Sequence, residues 1–121
     1  METNLMETEP PWAVTPEKVD AVIHRLVEHA HPAKVYVFGS YLNPKPDGMP
    51  PNDLDLLVVV DDSVLDENRE SGRLRRLMRG IRMPMDIIVV RSGKFGAYAQ
   101  VPGLLFREVI ENGKEVYARP A

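Results

Sequence analysis

Residues 35–60 read VYVFGSYLNPKPDGMPPNDLDLLVVV, and the fold turns on how the two apolar runs in this stretch flank a Gly-Ser pair and an Asp-Leu-Asp triplet. Val35, Tyr36, Val37 and Phe38 are β-branched or aromatic, as strands are, and the run stops at Gly39-Ser40, where a backbone can turn sharply. The second run, Leu56 to Val60, is continuous rather than alternating, so a strand there is expected to be buried on both faces. Acids beside such a run are costly unless something compensates them.

The twelve residues between Ser40 and Asp53 hold four prolines and Gly48, which excludes a long regular element and predicts a loop over the acids. Upstream, Thr15-Pro16 supplies a capping hydroxyl and a proline suited to the first helical position. Val19, Val22, Ile23, Leu26, Val27 and Ala30 then recur at helical spacing, and His31-Pro32 ends the helix. Residues 1–14, acidic and closing on Pro10-Pro11, read as a flexible N-terminal arm whose end Trp12 pins to the body; residues 15–121 read as the domain.

Downstream, a strand over 54–60 is followed by Ser63 as N-cap of a helix over about 64–79, ended by Gly80. Arg69, Arg73, Arg75, Arg76, Arg79 and Arg82 make this the one basic region, with a solvated face as the default reading. A third strand over 85–90 carries Asp86 near its start. Residues 92–102, with two glycines, read as a loop, and Leu104, Leu105, Val109 and Ile110 as a short helix stopped by Asn112-Gly113. Glu115-Val116-Tyr117 suits an edge strand. This order implies one α/β (α+β) domain with a small mixed β-sheet packed by helices.

The 121 residues suffice for one soluble domain and leave no room for a second large one. A net charge of -3 argues against a general nucleic-acid coat, so nucleic-acid binding is not expected. The absence of cysteine removes thiolate catalysis and sulfur-ligated zinc, and fits a cytoplasmic protein; the longest aliphatic run, five residues, predicts no membrane span. His24, His29 and His31 are spaced by five and two, which does not put a metal-binding pair on one helical face.

Asp53 and Asp55 are two apart, so on an extended chain they share a face, and each raises the proton affinity of the other unless a cation lies between them. A hard, oxygen-preferring ion such as Mg2+ answers that need and bridges to substrate phosphates. If the strand bearing Asp86 is a neighbour, three carboxylates converge, enough for two metal ions and an in-line phosphoryl transfer. Gly39 and Ser40 supply the complementary half, a close backbone approach and donors for phosphate oxygens.

Phe38-Gly39-Ser40, a twelve-residue spacer and Asp53-Leu54-Asp55-Leu56 together resemble the signature of the DNA polymerase beta nucleotidyltransferase superfamily, and the short length resembles its minimal nucleotidyltransferase group. The resemblance covers roughly residues 16–117 and implies the nucleotidyltransferase fold. It implies that Asp53 and Asp55 bind magnesium with Asp86 as third acid, that Asp86 helps activate an acceptor hydroxyl, and that Gly39 and Ser40 hold the nucleoside triphosphate. It further implies transfer of AMP from ATP to a tyrosine hydroxyl of a HEPN-domain protein partner, in a toxin–antitoxin pair. Minimal members commonly carry a basic residue directly after Gly-Ser; here Tyr41 stands there, leaving Lys34, Lys45 or an arginine of the basic helix as the phosphate partner. The reading from another class is a catalytically idle module that neutralises a partner by contact alone.

Overall fold

A computed structural model describes residues 10–120, so residues 1–9, most of the expected arm, lie outside the described residues. Helix α1 (Pro16–Ala30) starts as its sequence requires: the Thr15 hydroxyl accepts from the Lys18 amide at 3.3 Å and Pro16 occupies the first turn. It ends on His31, left-handed at φ 45. Trp12 does not do the pinning expected of it and is 57% exposed. The segment before α1 is held instead by the Lys18 ammonium, which donates to the carbonyls of Pro11, Ala13 and Arg82 at 2.6, 2.9 and 2.9 Å.

Strands β1 (Lys34–Phe38), β2 (Leu54–Val60), β3 (Met85–Arg91) and β4 (Lys114–Ala118) form one mixed sheet in the order β3-β2-β1-β4. β1 runs antiparallel to β2 and to β4, whereas β3 runs parallel to β2. Alternation along β2 divides the core. Leu54, Leu56, Val58 and Val60 face Val22, Leu26 and Leu74 of the long helices, while Leu57 and Val59 face Phe95 and Val109 of the short ones. Both faces are covered, which is why this run is continuously apolar.

Helix α2 (Glu67–Leu77) is shorter than the 64–79 expected, because its cap is Asp66 rather than Ser63: the Asp66 carboxylate accepts from the Arg69 amide at 3.0 Å. The larger departure is α3 (Ser92–Tyr98), a helix where the glycines predict a loop. Its propensity is poor, and tertiary packing overrides it. Phe95 is buried with its ring 5.5 Å from Tyr36 and 6.0 Å from Phe106, and the Gly93 amide donates to Asp62 at 2.9 Å. Helix α4 (Leu105–Asn112) follows as expected and turns at Gly113 into β4. At Gly113 a Cβ would stand 2.5 Å from the Val109 carbonyl oxygen and 3.0 Å from that of Val37, so only glycine fits this crossing. No helix among the described residues is long and apolar enough to cross a membrane.

Candidate active site

The pleat of β2 buries Leu54 and Leu56 completely on the long-helix side, so Asp53 and Asp55 project on the other side. Register then supplies neighbours. Asp55 pairs with Phe38 across the antiparallel ladder and with Asp86 across the parallel one. The third strand is therefore adjacent to β2, as convergence of the three acids requires. Burial pushes the Asp55 carboxyl above the usual carboxylate range, and the negative charges of Asp53 and Asp86 push it further in the same direction. Three acids thus share one electrostatic neighbourhood.

The Gly39-Ser40 turn meets this neighbourhood at Asp55. Gly39 has φ 81, and a Cβ there would overlap Asp55 Oδ2 and lie 3.1 Å from Asp55 Cγ. The Gly39 carbonyl accepts from the Leu42 and Asn43 amides at 3.1 and 2.9 Å, closing a tight turn that begins at Ser40, and Asn43 Nδ2 donates to the Asn112 carbonyl at 3.1 Å. Phe38, Gly39 and Asn43 face Glu108, Asn112 and Gly113 across an open pocket of about 310 Å³.

Tyr41 is accounted for by packing: with Leu42 it lies half-buried against the main core cluster. The position after Ser40 therefore serves the core. Lys34 is at the far end of β1, opposite Val59, where its ammonium is 3.5 Å from Glu115; it is not a partner for these acids. Lys45 lies in the exposed loop. The cation that does meet the acids is Arg75, whose Nη2 donates to Asp86 Oδ1 at 2.9 Å by reaching from α2 around the edge strand β3. Sequence places Arg75 only within a basic helix; nothing local couples it to Asp86. Among the described residues no three His, Asp or Glu side chains are gathered into a ready-made metal cage, and Asp86 is engaged with Arg75.

Residues 20–121 match the family model for polymerase beta nucleotidyltransferases. The chain belongs to that family. Its fold is similar to that of a candidate nucleotidyltransferase from Sulfolobus solfataricus, at 17% identity and TM-score 0.57 over 85% of this chain and 79% of the other. It is also similar to a mutant of the toxin–antitoxin MntA-HpeT (22% identity, TM-score 0.53, 83% and 72% covered) and to a toxin–antitoxin with AMP-PNP (23%, 0.52, 82% and 73%). Likeness at these identities shows the shared nucleotidyltransferase fold alone. No curated protein sequence matches the chain.

Proposed function

We propose that this nucleotidyltransferase domain is a magnesium-dependent enzyme that moves a nucleoside monophosphate, AMP from ATP, onto a hydroxyl of a partner protein, as the antitoxin of a HEPN toxin–antitoxin pair in the cytoplasm. The observation that carries the reading is Asp55, held between Gly39 in the turn after β1 and Asp86 on the neighbouring strand β3, with its proton affinity raised by burial and by two like charges. That arrangement is unfavourable alone and becomes favourable when a cation is added.

The donor set fits a hard divalent ion, since Asp53 and Asp55 offer only carboxylate oxygens and the chain has no cysteine thiolate to favour a softer metal. Bound Mg2+ would supply charge neutralisation at the phosphates and at the departing pyrophosphate. In this reading Gly39 and Ser40 hold the triphosphate, and Asp86 takes the proton of the acceptor hydroxyl as its oxygen bonds to the α-phosphorus. The bond from that phosphorus to the bridging oxygen breaks, and pyrophosphate leaves with the electron pair. Asp86 must first part from Arg75.

That same ion pair favours a second reading, an idle fold that acts by contact, because it already compensates one of the three acids. Mass spectrometry of a co-purified partner incubated with ATP and Mg2+ decides. An added mass of one AMP that disappears in Asp53→Asn/Asp55→Asn supports the enzyme. Neutralisation of the partner that survives this double substitution, with no added mass in the wild type, supports contact alone.

A further inference from the structure

Beyond the acids, the C-terminal end of α2 forms an open basin of about 410 Å³ lined by Arg75, Arg76 and Arg79 above Met78, Met83 and Met85. Arginines there would ordinarily be assigned to the helix dipole. In this fold that task is already done: Arg25, from α1, donates to the Leu77 and Arg79 carbonyls, both at 3.0 Å. Nor are these arginines part of the acid–base lattice along α2, where Arg73 is held by Glu70 at 2.9 and 2.7 Å. Among the described residues the side chains of Arg76 and Arg79 make no ion pair, and Arg75 makes one, to Asp86. No acid lines the basin.

We propose that this basin is a phosphate-binding subsite, separate from the Gly39-Ser40 turn and coupled to the acids through Arg75. Guanidinium groups match phosphate oxygens in forked geometry, and the buried Met78 and Met83 beneath them give the charges an apolar floor. The Arg75–Asp86 pair is half-exposed on both sides, so little holds it closed. A phosphate group entering the basin draws Arg75 away and leaves Asp86 free for a cation. Anion and divalent cation then assist each other by the same free energy in either order. The proposal of a phosphate subsite stands on the arginines alone, whereas its coupling to Asp86 rests on the transferase reading above.

Titration calorimetry at low salt without metal isolates the basin, because Asp53, Asp55 and Asp86 repel an unaccompanied anion. The probes are inorganic pyrophosphate and an eight-nucleotide single-stranded DNA with a free 3′ hydroxyl. Both are expected to bind, and Arg76→Gln/Arg79→Gln to weaken each about tenfold, while the control Arg107→Gln leaves them unchanged. Arg79→Gln alone, outside the helix, serves if the double variant fails to fold. Tighter oligonucleotide binding identifies a nucleic-acid backbone as the source of the phosphate; equal or tighter pyrophosphate binding identifies a free phosphate or nucleotide. No binding of either probe, or an equal loss in Arg107→Gln, overturns the subsite. Mn2+ binding followed by electron paramagnetic resonance reads the coupling: Arg75→Ala is expected to bind Mn2+ several-fold more tightly than wild type. Equal affinity overturns the coupling, and Mn2+ binding by neither protein overturns the metal reading itself while leaving the anion result standing.

Discussion

Gly39 and Asp55 occupy each other's space: the glycine, at φ 81, leaves the volume its Cβ would take to the Asp55 carboxylate. Positive φ and steric exclusion act together here, so the Gly-Ser turn and the Asp-Leu-Asp triplet form one packed unit rather than two motifs that happen to meet. Gly39→Ala is expected to destabilise the domain by at least about 2 kcal/mol, combining left-handed strain with the overlap. In an Asp55→Ala background the overlap is gone, and the same substitution should cost only about 1 kcal/mol. Equal costs in the two backgrounds, measured by urea unfolding, would show that the carboxylate is not what excludes the side chain.

The raised proton affinity of Asp55 has a sign that unfolding can read. Burial and its acidic neighbours favour the protonated form in the folded state. Between the ordinary carboxylate range and the raised folded value, the native protein keeps a proton that the unfolded chain has released. Metal-free stability therefore falls as pH rises through that window and stays lowered above it. Asp55→Asn removes the deficit and should raise Tm at neutral pH by about 1–3 °C, a gain that vanishes under acid conditions. A lower Tm for the variant at pH 7 in chelator would contradict the assignment.

Helix α2 provides a paired test of its own start. Asp66→Ala should cost about 1 kcal/mol through loss of the bond from the Arg69 amide, whereas Ser63→Ala should fall within about 0.5 kcal/mol of wild type. Thermal unfolding of both variants measures this directly, and a larger loss at Ser63 would move the cap.

The end of β4 is tied by Arg119, which donates to Asp61 Oδ1 at 2.7 Å and to the His31 carbonyl at 3.1 Å. The Arg119 hydrogen bond and charge hold the Asp61 carboxyl below its ordinary range. The contribution of this pair is therefore full above the ordinary carboxylate range and is lost as pH falls through the lowered value, and salt weakens it throughout. Arg119→Ala should speed amide exchange along β4 by about two- to fivefold at neutral pH, with the difference closing at low pH. Unchanged exchange would mean that the backbone bond from the Arg119 amide to the Ala33 carbonyl suffices.

Magnesium with ATP should raise Tm of the wild type by several degrees at millimolar concentration, because a ligand specific for the folded state stabilises it. Asp53→Asn/Asp55→Asn should abolish the rise while leaving the unliganded protein folded. A well-folded wild-type sample with no rise would weigh against catalysis.

The sheet was legible because strand signals are local. Residues 35–38, 54–60 and 85–90 each announce themselves by composition, and their observed spans differ by a residue or none. The helix over 92–98 was not legible, since Gly93 and Gly96 argue against it and only the burial of Phe95 against Tyr36 and Phe106 forms it. Ser63 and Asp66 are equally plausible caps by residue type; the choice depends on where α2 must begin to lay Leu74 into the core.

The strand that carries two acids on one face, and the glycine turn that precedes it, follow from the residues alone. A period of two and a residue without Cβ are properties of the chain's own covalent geometry. The folded chain adds that Asp55 lies between Gly39 and Asp86, that Tyr41 belongs to the core, and that Arg75 reaches Asp86 around the sheet edge. These relationships depend on strand order, register and helix docking, which are settled by the burial of side chains remote in sequence and have no local signature.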